Sequence, residues 1–158
     1  MKTFEEYLVQ DTPEMRRALT DDTYKTVWQR EHRSAHTLAD KEVNSELATL
    51  GDAVLKLALA EMLLDRVENI TVVKQRYESD RVLVTVVGRH YGLLRYLRCD
   101  PAVTKQDYDY AGDSHKHIAT ALEAALGAIY LTDGFAAARE VVRAWCLLID
   151  RQTGGVGA

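Results

Sequence analysis

Two stretches of this 158-residue chain decide its fold, Asn44-Ser-Glu-Leu-Ala-Thr-Leu-Gly-Asp-Ala-Val-Leu55 and Ala119-Thr-Ala-Leu-Glu-Ala-Ala-Leu-Gly-Ala-Ile-Tyr-Leu131. Apolar residues recur in both at helical spacing, so each stretch is predicted to form a helix. Each carries one acid, Asp52 or Glu123, close to small residues such as Gly51 and Gly127. Small residues allow two helices to cross closely, which would bring the two carboxylates together.

The helix face that bears Asp52 also carries Ser45 and Ala48, because residues three, four and seven apart lie on one side of a helix. Most of the remaining circumference is apolar, so we expect this helix to be central and largely buried. An acid there is costly unless it is ion-paired, hydrogen-bonded or bound to a metal. Glu123 is in the same situation, since its helix carries an apolar stripe formed by Ile118, Leu122, Ala125 and Ile129.

Two interpretations of this acid pair are open. Two carboxylates in a poorly hydrated site either share a proton or bind a hard divalent cation such as Mg²⁺. Alternatively each acid forms an ion pair, Asp52 with Lys56 four residues later and Glu123 with Lys116 seven residues earlier. Spacing alone does not separate these cases, because structural ion-pair networks perturb acids as metal sites do.

The composition indicates one globular domain. A hydrophobic content of 47% and a charged content of 28% are ordinary for such a chain, which is long enough for one core. Helical periodicity dominates, so the predicted fold is an all-α, single-domain helical bundle. Residues 1–152 are expected to form the domain and residues 153–158 a disordered tail. The predicted helices cover residues 3–9, 12–19, 43–66, 71–97, 115–131 and 135–150, with a break near Gly88, a loop over 100–114 and a turn at 132–134.

The cysteines and the N-terminus indicate a cytoplasmic protein without membrane contact. Cys99 and Cys146 are too few for a disulfide framework, which favours a reducing compartment. The first residues have no apolar signal-peptide core. The most apolar stretch, residues 53–64, is too short to span a bilayer.

Charge is unevenly distributed along the chain. The net charge of −4 argues against nucleic-acid binding by bulk charge but leaves room for a local basic face. Between residues 74 and 98, only two acids oppose six bases, Lys74, Arg76, Arg81, Arg89, Arg95 and Arg98. This segment either contacts phosphates while acids elsewhere bind a metal, or it is a solvated face that balances acidic neighbours.

Four elements of the chain resemble the ribonuclease III family, in that family's order. The stretch Leu50-Gly-Asp-Ala-Val-Leu55 resembles its signature, and Glu123-Ala-Ala-Leu-Gly-Ala-Ile-Tyr-Leu131 resembles its second motif. Ala18-Leu-Thr-Asp-Asp-Thr-Tyr24 is similar to its Ala-Leu-Thr-His-x-Ser-Tyr element, with Asp21 in the place of the histidine. Residues 70–79 resemble the following Leu-Thr-x-x-Arg/Lys helix.

The resemblance implies a helical endonuclease domain that forms a homodimer and cuts double-stranded RNA with Mg²⁺ or Mn²⁺ held by carboxylates. Carried over residue by residue, it implies catalytic and metal-binding roles for Asp52 and Glu123. RNA contacts are expected from Lys74, Arg76 and Arg81, and DNA is not expected as a partner. Because the chain ends soon after the second motif, we expect a stand-alone domain without a double-stranded-RNA-binding domain.

The chain departs from the family at three acidic positions. Ala48 stands where the family has a glutamate four residues before the first aspartate, and Ser45 replaces a further glutamate. Thr120 stands where the family has an aspartate three residues before the second glutamate. Each lost carboxylate weakens metal binding, although Mg²⁺ can be held by one or two carboxylates together with phosphate oxygens.

Three hypotheses follow for function. The first is a divalent-metal-dependent endonuclease acting on double-stranded or structured RNA, with His117 and Glu68 as further residues of undecided role. The second is a degenerate relative that retains the fold as an RNA-binding or scaffold dimer, which Ala48 and Thr120 favour. The third is an unrelated helical bundle, in which case a monomer without RNA affinity is expected.

Overall fold

The computed structural model describes residues 1–102, Tyr110 and residues 115–153 of the chain. Within these ranges the chain is helical and no strand is present, apart from one isolated parallel bridge between Thr20 and Arg98. The α-helices are α1 (Phe4–Leu8), α2 (Pro13–Ala18), α3 (Tyr24–Glu31), α4 (Ser45–Leu63), α5 (Ile70–Glu78), α6 (Asp80–Val82), α7 (Arg89–Tyr91), α8 (His115–Asp133) and α9 (Phe135–Gln152). A π-helical segment (Leu83–Gly88) joins α6 to α7, and short 3-10 turns lie at Asp40–Glu42 and Leu93–Arg95.

Helices α4 and α8 form the centre of the bundle and pack most extensively against each other. Their inward-facing residues follow the predicted helical stripes, and Leu55, Leu59, Leu122 and Ile129 are fully buried. Helix α9 covers this pair with an apolar stripe repeating every three or four residues, which includes Ala138, Val141, Val142, Trp145 and Ile149. The predicted all-α bundle is therefore confirmed.

The backbones of α4 and α8 touch where Gly51 faces Gly127. A Cβ atom added to Gly51 would lie 1.6 Å from the carbonyl oxygen of Glu123, and one added to Gly127 would lie 2.6 Å from the carbonyl oxygen of Leu47. No side chain fits between the helices at this point. The close crossing predicted from the small residues is thus present, and it puts Asp52, the neighbour of Gly51, next to Glu123.

The N-terminal helix is anchored to this centre. Thr3 and Glu6 form a capping box at the start of α1, which satisfies the otherwise free backbone N–H groups. Phe4 packs edge-on against Tyr91 and Trp145, with ring centroids 4.8 and 5.2 Å apart. The Tyr7 hydroxyl donates a 2.7 Å hydrogen bond to Asp133 at the end of α8. Helix α1 thereby packs against α9 and is hydrogen-bonded to α8.

The structure corrects the prediction of one helix over residues 71–97. Helix α5 ends at Glu78, because Ser79 is extended and its hydroxyl caps α6 by accepting a hydrogen bond from the Val82 backbone N–H. The second break is at Gly92, whose φ of 59° lies in the left-handed region that glycine adopts at low cost. The expected break near Gly88 is wrong, since Gly88 is buried inside the π-helical segment against Ile118.

Two further predictions about elements need correction. Helix α3 was not predicted, because none of its residues is buried and it therefore lacks a strong apolar stripe. On α4, Leu57 is 56% exposed. Pro101 and Ala102 are helical, whereas most of the predicted loop over 100–114 and residues 154–158 of the predicted tail lie outside the described residues.

Among the helices that the structure describes, none is both long enough and apolar enough to cross a lipid bilayer.

Helix propensity alone predicts that Gly51→Ala stabilises the protein, whereas the backbone contact at Gly51 predicts that it destabilises the protein. At an open helix position Gly→Ala stabilises by about 1 kcal/mol. At Gly51 the new Cβ meets a carbonyl oxygen, so Gly51→Ala should destabilise the protein by about 3 kcal/mol or more in urea unfolding. Gly127→Ala should cost less, and the control Thr49→Ala, at an exposed site on α4, should change stability by under about 0.5 kcal/mol. A stabilising Gly51→Ala would contradict the backbone contact.

Candidate active site

A pocket of about 430 Å³ opens where α4 and α8 cross. It is lined by six residues, Ser45, Ala48, Thr49, Asp52, Thr120 and Glu123. Five of these are the residues singled out in the sequence as retained or replaced acidic positions. The structure therefore brings together Asp52 and Glu123, and it puts the three substituted positions, Ser45, Ala48 and Thr120, in the same pocket.

Glu123 is the unusual acid of this pocket. Within the described residues its carboxylate has no hydrogen-bond or ion-pair partner, so the predicted pairing with Lys116 is not formed. Burial, together with the negative charges of Asp52 and Asp80, raises the pKa of Glu123 from 4.5 to about 7. The nearby Lys56 charge opposes this rise without cancelling it. Glu123 thus takes up and releases a proton close to neutral pH.

Asp52 has a different environment. Its side chain is 38% exposed and forms an ion pair with Lys56, whose Nζ lies 2.5 Å from the Asp52 carboxylate. The hydrogen bond to Asp52 raises the pKa of Lys56. The ion pair considered for Asp52 is therefore present, and the expectation of a buried acid is wrong there. Asp52 lies at the rim of the pocket and Glu123 deeper inside it.

Asp80 lies close enough to Glu123 to affect its pKa, and the sequence alone did not reveal this. Asp80 is the first residue of α6, and its charge contributes to the raised pKa of Glu123. In the sequence it appeared only as an acid that offsets a basic segment. Because α6 packs against α8 across a distance of more than 30 residues in the chain, no local pattern could have revealed this proximity.

His117 does not line this pocket. Its Nδ1 is 3.0 Å from Oδ1 of Asp21, a buried carboxylate that also accepts hydrogen bonds from the backbone N–H and the hydroxyl of Thr23. The pair lies in an adjoining cavity of about 220 Å³. This cavity shares Ser45 and Thr120 with the pocket at the α4–α8 crossing, which we call the acid pocket. His117 therefore has the contacts of a structural residue. Glu68, exposed between α4 and α5, lines neither cavity.

The three residues predicted to contact RNA lie on α5 and α6, outside the pocket lining. Lys74 is 3.8 Å from the Glu78 carboxylate, and the Arg76 guanidinium lies over the Tyr77 ring at 6.0 Å from its centroid. Arg81 is exposed on α6. Their role in RNA binding stays a prediction.

The pocket lining suits a hard cation. Its polar atoms are the carboxylates of Asp52 and Glu123 and the hydroxyls of Ser45, Thr49 and Thr120, all of which are oxygen donors of the kind that Mg²⁺ prefers. In the part of the chain that the structure describes, no three histidine, cysteine, aspartate or glutamate residues are grouped to hold a metal ion. A cation here would therefore be held by two carboxylates and would keep several water ligands.

The raised pKa of Glu123 predicts a pH-dependent stability in metal-free solution. Between pH 4.5 and 7 folded Glu123 holds a proton that the unfolded chain releases, so stability should fall as the pH rises through this window. As the pH rises from 5 to 8, the free energy of unfolding of Glu123→Gln should increase by about 1–2 kcal/mol relative to that of the parent. Urea unfolding in EDTA measures both. Glu68→Gln is the matched surface control. Parallel pH profiles of parent and Glu123→Gln would contradict the shifted pKa.

Comparisons with known proteins agree with this geometry. A model of the family described as Ribonuclease-III-like matches residues 15–149. Ribonuclease 3 of Pseudomonas fluorescens (strain SBW25) is 36% identical over 108 residues, which cover 65% of this chain and 45% of that protein. Ribonuclease 3 of Vibrio cholerae is 30% identical over 118 residues, which cover 70% of this chain and 49% of that protein.

The fold comparison points the same way. The nuclease domain of ribonuclease III from Campylobacter jejuni superposes with a TM-score of 0.67 at 21% identity, covering 94% of this chain and 92% of that one. The chain spans just under half the length of the ribonuclease 3 relatives named above. Because the family model covers most of the chain and the fold agrees, this protein belongs to the Ribonuclease-III-like family.

Proposed function

We propose that this domain hydrolyses phosphodiester bonds in double-stranded or structured RNA, with a divalent cation held by Asp52 and Glu123. The observation that carries the proposal is the pocket at the α4–α8 crossing. It joins two carboxylates and three hydroxyls in a chain of the Ribonuclease-III-like family. A charged glutamate without a partner is costly at such a site, and a bound cation would remove that cost.

The cation, Mg²⁺ or Mn²⁺, would supply an acidified water and offset the charge that develops on the phosphate. The remaining steps belong to the chain itself. Glu123 releases its proton near neutral pH and so becomes a ligand at the pH where the domain would work. Lys56, which pairs with Asp52, would become available to neutralise a phosphate oxygen once that carboxylate holds the cation.

Substrate contact would extend beyond the pocket. Double-stranded RNA is recognised by shape and by its phosphates, which requires cations spread along one face. We propose that Lys74, Arg76 and Arg81 on α5 and α6 supply these contacts, since α5 packs against α4 and α6 against α8. Cys99 and Cys146 are too few for a disulfide framework, which fits a reducing compartment such as the cytoplasm.

A second candidate function is supported by one observation. Ala48 and Thr120 line the pocket at positions where the family has acids, so the carboxylate set is reduced. A domain that binds RNA without cutting it, as a degenerate scaffold, is consistent with that reduction.

The deciding experiment is cleavage of long double-stranded RNA with Mg²⁺ or Mn²⁺. The parent should cut, and Glu123→Gln should lose at least about 100-fold in rate, because it removes a cation ligand while keeping the side-chain shape. Ala48→Glu and Thr120→Asp, which add carboxylates to the pocket, should raise the rate. Glu68→Gln, outside the pocket, should leave it unchanged.

Two other outcomes are informative. If the parent binds RNA without cutting it and gains cleavage from Ala48→Glu with Thr120→Asp, the scaffold function is correct. If Glu123→Gln cuts as fast as the parent, the reaction does not take place in this pocket.

We also propose that the domain works as a homodimer. One structure of the Campylobacter jejuni nuclease domain, which matches this fold with a TM-score of 0.68 at 22% identity, is described as flexible in a region involved in dimer formation. In this chain Leu57 and Leu64, seven residues apart at the C-terminal end of α4, are 56% and 62% exposed. We propose that these two leucines contribute to the dimer interface, because covering them would remove apolar surface from water.

Light scattering tests this assembly. The parent should show twice the mass of one chain, and Leu57→Lys should shift it toward the monomer. Leu147→Lys is the matched control, because Leu147 is similarly exposed, at 51%, on α9. A monomeric parent, or equal dimer fractions in the two variants, would contradict the proposed interface.

A further inference from the structure

A second pocket, of about 310 Å³, lies between α2, α3 and the 3-10 turn at Asp40–Glu42. We call it the arginine pocket, after the cations and rings that line it, Arg16, Arg17, Lys41, Arg98, Tyr24 and Trp28. It shares no residue with the acid pocket. None of its residues takes part in the proposed reaction.

Two of its guanidinium groups are fixed in place. Arg17 donates from Nε to the Val43 carbonyl oxygen at 3.0 Å, and its NH2 group lies 3.4 Å from Glu46. Arg98 donates to the Thr20 hydroxyl at 2.7 Å, and its guanidinium lies over the Tyr24 ring at 5.6 Å. Guanidinium groups held in this way lose little further freedom when they bind an anion.

The other two cations are more available. Lys41 is exposed and has no ion-pair or hydrogen-bond partner for its ammonium within the described residues. Arg16 pairs with Asp11, but the two side chains are 52% and 85% exposed, so this pair is weak and easily exchanged.

The pocket has an excess of positive charge. Four cations line it against one acid, Glu42, which already accepts a hydrogen bond from the Ala39 backbone N–H. Arg16 and Arg17 also pair with Asp11 and Glu46 outside the lining, so the excess comes from Lys41 and Arg98. In a chain with a net charge of −4, such an excess is a local departure that favours an anionic ligand.

The aromatic wall adds a second requirement. Trp28 is half-buried, and one face of its indole stacks on the His32 ring at 4.3 Å with an angle of 18°. The indole also forms part of the pocket wall. Rings and arginines together recognise ligands that combine a phosphate with a flat base.

We propose that the arginine pocket binds a nucleotide through a terminal phosphate, either as a free mononucleotide or as the phosphorylated end of an RNA strand. Several converging cations favour a phosphate monoester, which carries more charge than a phosphate inside a strand. A volume near 310 Å³ suits one nucleotide and is too small for a duplex.

Tryptophan fluorescence tests the proposal directly. The chain has two tryptophans, and the other, Trp145, is buried in the core, so quenching by an added ligand reports on Trp28. The probes are inorganic phosphate, nucleoside 5′-monophosphates, and a short single-stranded RNA with either a terminal phosphate or a terminal hydroxyl. Titrations in EDTA keep the acid pocket free of divalent cations.

Variants test whether the fluorescence quenching comes from a ligand bound in the arginine pocket. Lys41→Gln should weaken binding of the phosphorylated probes at least about fivefold, because it removes one charge-assisted contact from an exposed side chain without disturbing the fold. Arg66→Gln is the matched control, since Arg66 is exposed beyond the opposite end of α4. Trp28→Phe should abolish the quenching, while calorimetry still detects the probe.

The outcomes separate this inference from the proposed function. Preference for phosphorylated over hydroxyl-ended RNA, lost in Lys41→Gln and kept in Glu123→Gln, supports the pocket whether or not the domain cuts RNA. Tighter binding of mononucleotides than of RNA ends identifies the free nucleotide as the source, and the reverse identifies the RNA end. Equal affinity for the two RNAs without measurable binding of mononucleotides, or equal loss in Lys41→Gln and Arg66→Gln, overturns the proposal.

Discussion

The backbone contact between α4 and α8 at Gly51 and Gly127 is the constraint on which the rest of the structure depends. Because Gly51 has no Cβ, the two central helices approach until the carbonyl oxygen of Glu123 contacts the α4 backbone at Gly51. The residues on either side of this contact are then forced to share a pocket. Asp52 follows Gly51 directly, and Glu123 provides the touching carbonyl, so the packing of the core and the position of both acids have one cause.

That arrangement gives the two acids different properties. Asp52 reaches the rim and is neutralised by Lys56, one turn further along α4. Glu123 lies deeper, where burial and the charges of Asp52 and Asp80 act on it together. A partly buried carboxylate without a hydrogen-bond or ion-pair partner among the described residues is tolerated because the surrounding packing supplies stability elsewhere. The large apolar contact of α4, α8 and α9 is that source.

Elements with a strong pattern in their own residues were predictable from the sequence, whereas features that depend on distant residues were not. The central helices and α9 have strong apolar stripes, so their positions were predictable to within a few residues. Helix α3 has no fully buried residue and therefore no strong apolar pattern. The break at Ser79 depends on a capping hydroxyl inside an otherwise helical run. The residues of the pocket were predictable from motif spacing, with the exception of Thr49. The partners of these residues were not, as the Asp21–His117 pair shows, since those two residues are 96 positions apart.

The proton on Glu123 would have opposite consequences for the two kinds of ligand proposed for the acid pocket. A cation can bind Glu123 only by displacing that proton, so cation affinity decreases with acidity below pH 7. A polyanion approaching without a cation meets one negative charge fewer under the same acidic conditions, and its association is less hindered. Under the proposed function, slightly acidic solution would therefore favour approach of an RNA strand, and slightly basic solution would favour binding of the cation.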